Sequence, residues 1–319
     1  MTTAHGIHHI TALGTDPQRL LEFYTEVLGL RLVKKSVNQD DPSAYHLFFG
    51  DRTGEPGMDL TFFTFPFILS GARGTGLVTM ISLAVPQDSL TFWQERFERH
   101  EVRHEGIREH LDLERLVFYD FDNQRLELVG IPNELLAEDN SLLWTTNQIS
   151  ADEAIRNFHS ARLTVADKAS VEPVLLDVLG YSEVKSLDST TLYHREGQTR
   201  AAFIEISEQP EQEPGRNAAG TVHHIAFSVE DEQSQLELRA RVEELGLRPT
   251  EVIDRYYFKS VYFRTEAGVL FELATMEPGF TVDETEAELG QKLALPPFLE
   301  DYRKDIEAGL KPIAVKQAT

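Results

Sequence analysis

The chain has 319 residues, and its length, composition and charge exclude several classes of protein. At ~150 residues per domain the length predicts two domains, and 41% hydrophobic with 26% charged residues is an ordinary globular balance. The chain has no cysteine, which excludes disulfides and zinc–cysteine sites and leaves His, Asp and Glu as candidate metal ligands. A net charge of −23 argues against nucleic acid as a partner.

The sequence shows neither a membrane span nor a targeting segment. No apolar run approaches the roughly 18 residues that a membrane span requires. The first ten residues, MTTAHGIHHI, lack the basic region and the apolar core of a signal peptide. We therefore expect a cytoplasmic protein that binds neither nucleic acid nor a membrane, and the sequence leaves a homo-oligomer open.

The chain begins with an alternating strand pattern, GIHHITALG from Gly6, followed by a helical pattern that ends in EVLGL at residues 26–30. This succession of strand and helix recurs three times, and the first recurrence is the weakest. The recurrences begin with LVTMISLAV at Leu77, NFHSARLTV at Asn157 and TVHHIAFSV at Thr221. In EVLGL and its counterparts DVLGY and EELGL, Gly follows the last periodic residue, where a left-handed helix cap is favoured.

After each helical pattern the sequence returns to period-two alternation, with Gly, Asp and Asn between the runs as in turns. Each repeated unit, called a module below, therefore predicts strand–helix–strand–strand–strand over about 65–80 residues. Alignment of the four modules puts four residues at equivalent positions: His9, Met80, Ser160 and His224. The predicted fold class is α+β, with four βαβββ modules that form curled mixed sheets.

The modules are expected to pair into domains, because a curled sheet with a helix on one face leaves its other face open. We predict an N-terminal domain over residues 1–131 and a C-terminal domain over residues 156–276, each built from two consecutive modules. Residues 132–155 have the composition of a linker between these domains. Residues 277–319 form an extension in which LALPPFLEDYRKDIEAGL, with its Pro-Pro start, predicts a capping helix.

Two of the four first strands carry a His-His pair at the same repeat position, His8-His9 and His223-His224. A single strand histidine is usually structural, but two pairs at one register of a repeat favour a shared function. The last strand of the fourth module adds Glu272 among apolar residues, where an unpaired carboxylate is costly to bury. Together, His9, His224 and Glu272 supply the ligand set of the facial triad, which binds Fe(II) and leaves positions open for substrate and dioxygen.

The second and third modules keep the carboxylate of the last strand as Glu127 and Glu205, but they have Met80 and Ser160 in place of histidine. Without an imidazole, the two glutamates do not form a second metal site of this kind. We expect them to be solvated or salt-bridged. The sequence therefore predicts one metal centre, between the first and the last module.

The repeat, the HHIT and HHIAF strands and the FEL strand resemble the vicinal oxygen chelate superfamily, which includes glyoxalase I and extradiol dioxygenases. From Gly6 to Ile313, including LPPFLEDYR, the chain is similar to the hydroquinone ring-cleaving dioxygenases of that superfamily. The resemblance implies that Fe(II) and O2 open the ring of a small hydroquinone or catechol-type substrate, with Mn or Zn as ions that a purified sample could carry. It implies metal ligands at His9, His224 and Glu272 and further functional residues at His8, Thr11, His223, Arg255 and Tyr262.

Each of the further residues also has a structural explanation. Thr11 lies two residues from His9 and shares its strand face, but threonine is also a good strand former. His8 and His223 point nominally to the opposite face, so they reach the site only from its rim or through a bulge.

The two residues of the fourth module leave similar alternatives open. Arg255 could hold a deprotonated phenol oxygen as a permanent cation, or it could pair with Asp254 or another acid. Tyr262, like His223, could handle a proton, or it could pack as an aromatic side chain. The other histidines in strand patterns or densely charged segments are not assigned to the site: His46, His100, His104, His159 and His194.

Two other classes of protein remain open. A glyoxalase-type isomerase or thiol transferase would use a closed four-ligand site, with a carboxylate or Gln aligned with Glu272 in the last strand of the first module. That position is Thr61, so the fourth ligand is missing unless Asp59, on the same face, supplies it. A metal-free small-molecule binding protein would have no use for the three ligands together.

Overall fold

The structure is a computed structural model that describes residues 2–136 and 140–315. Its strands are β1 (Ile7–Gly14), β2 (Arg31–Val37), β3 (Tyr45–Gly50), β4 (Asp59–Thr64), β5 (Leu77–Pro86), β6 (His104–His110), β7 (Leu113–Tyr119), β8 (Arg125–Ile131), β9 (Asn157–Val165), β10 (Ser182–Leu187), β11 (Thr190–His194), β12 (Phe203–Glu208), β13 (Val222–Val229), β14 (Ile253–Asp254), β15 (Lys259–Arg264) and β16 (Leu270–Thr275). They form two eight-stranded sheets, ordered β14-β15-β16-β13-β1-β4-β3-β2 and β10-β11-β12-β9-β5-β8-β7-β6.

The helices lie between the first and second strands of the modules and at the C-terminal end. They are α1 (Pro17–Glu22), α2 (Leu90–Arg99), α3 (Glu232–Glu244) and α4 (Arg303–Gly309). In the first module α1 continues as a π-helical turn, and in the third module a π-helical turn, Val174–Val178, replaces the α-helix. None of the helices in the described part of the chain has the length and apolar character needed to cross a membrane.

Each module runs strand, helical segment and three strands, and its first and last strands are parallel neighbours. The predicted α+β class and the four βαβββ modules are therefore confirmed. The glycines that follow the helical segments have positive φ, 70° at Gly29, 77° at Gly180 and 80° at Gly246. This is the left-handed conformation that glycine adopts without strain.

The prediction that consecutive modules pair with each other is wrong for the sheets. Strand β1 pairs with β13, so the first sheet combines modules one and four, and β5 pairs with β9, so the second combines modules two and three. Residues 132–155 therefore connect two modules of one sheet rather than two domains. The chain crosses between the sheets through residues 65–76 and 209–221, which are joined by backbone bridges such as that between Ala72 and Arg216.

The strands at the centre of each sheet contain β-bulges at repeated positions. In the pairing of β1 with β13, His8 is an extra residue on β1 and His223 is an extra residue on β13. In the pairing of β5 with β9, Thr79 and His159 are the corresponding extra residues. The residue after each bulge is the one that the sequence alignment made equivalent, namely His9, Met80, Ser160 and His224. Because a bulge re-aims side chains, it brings His8 and His223 to the side of the sheet that their neighbours face.

The C-terminal extension covers β2, the edge strand of the first sheet. The Ala294 N–H donates to the Lys35 carbonyl at 2.9 Å, which protects an edge that would otherwise be open. The predicted capping helix forms in part, as 3-10 turns over Pro297–Tyr302 followed by α4. Lys311 lies beyond that helix, and its amino group binds Asp16 at 2.7 Å.

A buried ion pair fixes the same extension to the inner face of the first sheet. Lys34 is fully buried, and its amino group donates to Asp283 at 2.6 Å and to Glu284 at 2.5 Å. Phe280 packs beside them against Phe48 and Tyr257, within a second, smaller hydrophobic cluster. The extension therefore packs, through Phe280, against Phe48 of β3 and against Tyr257, between β14 and β15, in the first sheet.

Candidate metal centre

Three side chains from the centre of the first sheet converge on one point. The Nε2 atoms of His9 and His224 lie 3.2 Å apart, and Glu272 Oε2 lies 3.2 Å from His9 Nε2 and 3.0 Å from His224 Nε2. All three side chains are at most 4% exposed, and they are the group in the described residues whose donor atoms could share a metal ion. The structure thus brings together the three predicted ligands.

The surroundings favour an ionised Glu272 and lower the pKa of His224. Burial opposes ionisation of Glu272, but His9 and His224 outweigh it and hold the pKa of that carboxyl well below its usual range. Burial lowers the pKa of His224. Ser260 Oγ donates to the other carboxylate oxygen, Oε1, at 2.5 Å, so that Oε2 is left to face the histidines. A carboxylate anion beside two neutral imidazoles is the charge state in which these groups bind a divalent cation.

The bulged histidines contact the Nδ1 atoms of the central pair. His8 Nδ1 lies 3.0 Å from His9 Nδ1, and His223 Nδ1 lies 2.8 Å from His224 Nδ1. Burial lowers the pKa values of His8 and His223 to about 3, so both are neutral at neutral pH. A neutral neighbour can accept a hydrogen bond from Nδ1–H, which leaves Nε2 of the central histidine with a free lone pair.

Thr11 belongs to a short chain of hydrogen bonds that extends from β1 across β4 to β3. This chain therefore lies on the side of β1 away from β16, the strand of Glu272. Thr11 Oγ1 lies 2.8 Å from Thr61 Oγ1, and Thr61 Oγ1 lies 2.9 Å from His46 Nε2. All of them come from the first module, on β1, β4 and β3. Thr11 therefore reaches the site through Thr61 rather than as an isolated hydroxyl.

Arg255 and Tyr262 form a polar pair at the fourth-module side. The Arg255 guanidinium lies 5.5 Å from the Tyr262 ring centroid and makes two hydrogen bonds to Asp40, at 3.0 and 2.8 Å. Its acidic partner is thus Asp40, on the β2–β3 loop, and not Asp254. Tyr262 lies opposite Glu272 in the strand pairing, and its ring is 5.6 Å from that of His224. Burial and the charge of Glu272 raise the pKa of Tyr262, so its hydroxyl stays protonated.

A pocket that is partly open to solvent lies beside the central histidines. Its walls are largely aromatic, and polar groups line part of its rim. The lining residues are His9, Asn38, Gln39, Asp40, His46, Phe48, Phe63, His224, Arg255, Tyr257, Phe258 and Tyr262. The pocket therefore joins the three predicted ligands to a wall that suits a flat, apolar ring.

Asp59, which the sequence left open as a fourth ligand, lies outside the convergent group. Its side chain is fully buried, and both carboxylate oxygens are without a hydrogen-bond partner among the described residues. Burial and the charges of Asp51 and Glu272 raise the pKa of Asp59 well above its usual value, which favours the neutral acid. Thr61 occupies the position equivalent to Glu272, so the first module adds no carboxylate at that place.

The second sheet has a cluster of salt bridges where the first has the convergent ligands. Met80, the equivalent of His9 in the second module, is buried. Nearby, Arg115 Nη1 lies 2.6 Å from a carboxylate oxygen of Glu127 and 2.6 Å from one of Glu205. Arg162 adds a bond to Glu205 at 2.7 Å. Of the two expectations for these glutamates, the salt-bridged one is correct and the solvated one is wrong, since both are at most 2% exposed. Guanidinium groups supply here the positive charge that a cation would supply in the first sheet.

Comparison with known proteins places this architecture in a family. The model of the glyoxalase/bleomycin resistance protein/dioxygenase superfamily matches residues 6–128 and 159–273. The chain belongs to this superfamily. The matched segments contain the four modules up to the strand of Glu272, and the predicted membership is confirmed.

The curated relatives of this superfamily member match it over nearly its whole length. The chain is 41% identical over 97% of its length to MhqA of Bacillus subtilis, provisionally named a ring-cleaving dioxygenase, and covers 99% of that protein. It is 31% identical to the chlorohydroquinone/hydroquinone 1,2-dioxygenase of Sphingobium indicum, with 94% of each chain covered. A Bacillus subtilis crystal structure provisionally named a dioxygenase superposes with a TM-score of 0.93, at 36% identity and 99% coverage of both chains. These relatives confirm the predicted enzyme class, a dioxygenase.

Among the three histidines that line the pocket, His46 is the one that the sequence did not assign to the site. It lies in a strand pattern, where a single histidine is usually structural, but the structure places it in the pocket wall. The internal repeat could have indicated that His46 lies near the site. Strand β3 aligns with β15, and this alignment makes His46 equivalent to Ser260, the residue that contacts Glu272.

Proposed function

We propose that the protein is an Fe(II)-dependent ring-cleaving dioxygenase that acts on a hydroquinone-type aromatic. The observation that carries this proposal is the one-sided arrangement of the site: His9, His224 and Glu272 converge, while the equivalent of Glu272 in the first module is Thr61. Three protein ligands with an open side suit a reaction in which substrate and dioxygen must both approach the metal.

The distances between the donor atoms allow all three side chains to hold one ion. They are 3.0, 3.2 and 3.2 Å, as short as those between ligands of a single divalent cation. Two imidazoles and one carboxylate are the donor set of the facial triad, which binds Fe(II) and leaves positions open. Bound there, Fe(II) would supply the redox chemistry that activates dioxygen.

The side chains of the chain would bind and orient the aromatic ring. The aromatic pocket walls, including Phe48, Phe63 and Phe258, exclude water and stack against the ring. Arg255, 17% exposed, would stabilise the negative charge of a phenolate oxygen. Because its charge is shared with Asp40, the cation is held in place rather than free to swing.

Of the two residues considered for proton handling, Tyr262 has the better position. His223 Nδ1 is engaged with His224, whereas the Tyr262 hydroxyl is protonated, lines the pocket and lies near the Arg255 guanidinium. It could therefore donate its proton to a substrate oxygen as the ring opens. In the overall reaction both atoms of O2 enter the product, and the bond between the hydroxyl-bearing ring carbon and its neighbour breaks.

The substrate class is supported by the relatives as well as by the pocket. The Sphingobium relative is named for chlorohydroquinone and hydroquinone. The pocket wall is aromatic, and its charged groups, Arg255 and Asp40, form a pair rather than an excess of one sign. A neutral aromatic diol fits this lining better than a phosphate or a dicarboxylate.

The test is metal analysis of protein purified without oxygen, followed by oxygen uptake with hydroquinone and catechol. We expect one Fe(II) per chain and one O2 consumed per ring opened. Two tightly bound metals per chain would contradict the single centre. Absence of oxygen uptake with every diol, together with isomerisation of a thiol adduct of an α-ketoaldehyde, would replace the dioxygenase by the glyoxalase-type alternative.

A further inference from the structure

His46 forms part of the pocket wall between two phenylalanines. Its ring centroid lies 3.8 Å from that of Phe48 and 4.4 Å from that of Phe63, and all three residues line the pocket. The two rings are tilted against the imidazole, by 37° and 49°, and their contacts restrict its orientation. A polar ring is thus held in an otherwise apolar part of the wall.

One nitrogen of this imidazole is engaged and the other is not. His46 Nε2 lies 2.9 Å from Thr61 Oγ1, which is itself hydrogen-bonded to Thr11. Nδ1 has no hydrogen-bond partner among the described residues. Burial and the nearby His9 and His224 hold the pKa of His46 well below its usual value, so the ring is neutral. A neutral imidazole has one nitrogen that donates and one that accepts.

The position of His46 follows from the internal symmetry of the sheet. His46 pairs with Phe63 two residues after Thr61, just as Ser260 pairs with Ala274 two residues after Glu272. Ser260 contacts Glu272, and His46 contacts Thr61. His46 therefore stands on the side of the centre from which a protein carboxylate is missing, which is the side open to a substrate.

Two other polar residues of the wall, Arg255 and Gln39, already have partners within the protein. Arg255 is bound by Asp40, and the Gln39 amide donates to the Arg255 carbonyl at 2.8 Å. A substrate oxygen that approached either group would compete with these bonds. His46 Nδ1 offers a hydrogen bond without that cost.

We propose that His46 is a specificity-determining residue that hydrogen-bonds through Nδ1 to the second hydroxyl of an aromatic diol. This inference rests on the proposed function, since it takes one hydroxyl of the substrate to lie at the centre formed by His9, His224 and Glu272. The other hydroxyl of a 1,4-diol then meets the wall across the ring. The pocket would in this way distinguish a diol from a monophenol of the same shape.

The test compares hydroquinone with phenol as ligands of the Fe(II)-loaded protein, by calorimetry without oxygen. In wild-type protein hydroquinone should bind more tightly than phenol. In His46→Phe, where a ring of similar shape keeps the contacts with Phe48 and Phe63, hydroquinone should bind about three- to tenfold more weakly, as expected for one lost hydrogen bond. Phenol affinity should stay within about twofold, because phenol lacks the second hydroxyl.

Two further variants separate recognition from packing. His46→Gln, whose amide can still hydrogen-bond, should keep part of the preference for hydroquinone. His194→Phe is the matched control, because His194 also lies half-buried on a strand and stacks on a phenylalanine, Phe203, at 4.6 Å, but in the second sheet. It should leave both affinities unchanged.

The outcomes distinguish this inference from the proposed function. If wild-type protein binds hydroquinone and His46→Phe keeps the full preference, or loses both ligands equally, the role of His46 is wrong and the proposed function stands. If wild-type protein binds neither ligand, the proposed substrate class is wrong, and the inference that rests on it falls too.

Discussion

Thr61 and Glu272 occupy equivalent positions in the two halves of the first sheet. Thr61 pairs with Thr11 on the neighbouring parallel strand, and Glu272 pairs in the same way with Ala226, two residues after His224. The sheet thus has two places for a carboxylate around one centre and fills only one of them. This asymmetry, inside an otherwise repeated structure, leaves one side of the centre to a ligand.

Removal of the charge of Glu272 should abolish tight metal binding without harming the fold. Glu272→Gln keeps the size of the side chain and its contact with Ser260, but it removes the anion that balances Fe(II). We expect metal content after dialysis to fall to a small fraction of the wild-type value. The measurement is iron per chain, with circular dichroism to follow the fold.

The matched controls are Glu127→Gln and Glu205→Gln, at equivalent positions in the second sheet. Their metal content should stay at the wild-type value. Each substitution breaks a buried ion pair with Arg115, so we expect stability to fall by about 3–5 kcal/mol. Identical metal loss in all three variants would show that the repeat does not mark the site.

Much of the fold and the three convergent residues could be predicted from the sequence, because the same strand pattern and the same His-His pair occur more than once in the chain. Four copies of one strand pattern specify the module, and two copies of a His-His pair at one register specify the centre. Glu272 could be added because a carboxylate among apolar residues needs a partner. Local patterns of this kind depend on neighbours a few residues away.

The pairing of modules could not be predicted in the same way. The pairing of β1 with β13 or with β5 depends on contacts between residues far apart in the chain, and the strand patterns fit either choice. The partner of Arg255 is equally non-local, since Asp40 lies on a loop of the first module. Simple alternation along a strand places the side chains of His8 and His223 on the sheet face opposite to His9 and His224, but the bulges at these two residues turn them to the same face.

Loss of a bulged histidine should weaken metal binding without removing a ligand. His223→Phe removes the Nδ1 contact that orients His224, at 2.8 Å, and keeps an aromatic ring next to Phe63. We expect the affinity for Fe(II) to fall about 10–100-fold. Competition with a chromophoric chelator measures this change, and an unchanged affinity would assign His223 to packing alone. His159→Phe, at the equivalent bulge of the second sheet, is the control and should bind Fe(II) as the wild type does.

Asp120 should make the stability of the protein depend on pH. Its side chain is buried, accepts a hydrogen bond from Tyr24 at 3.2 Å, and has its pKa raised by burial to about 7. The folded state therefore binds a proton that the unfolded state has lost above about pH 4, so this group lowers stability as pH rises from about 4 to about 7. Relative to Asp120→Asn, which cannot ionise, wild-type protein should lose up to about 1.4 kcal/mol per pH unit in that range. Urea unfolding at pH 5, 6 and 7 measures the difference, and a constant difference would contradict the buried ionisation.

The substitution Thr61→Glu separates a dioxygenase from an isomerase at one position. It restores a carboxylate at the place equivalent to Glu272 and removes the hydroxyl that contacts Thr11 and His46. A carboxylate there would occupy the open side from which the substrate approaches, so oxygen uptake should collapse while the affinity for Fe(II) holds or increases. Thr61→Gln has the same bulk without the charge. It should also impair oxygen uptake, since it disrupts the same hydrogen bonds, but it should not tighten metal binding as the carboxylate does. Full oxygen uptake by Thr61→Glu would show that the open side of the centre is not where the substrate binds, and metal loss as severe as in Glu272→Gln would show that a carboxylate at this position does not serve as a ligand.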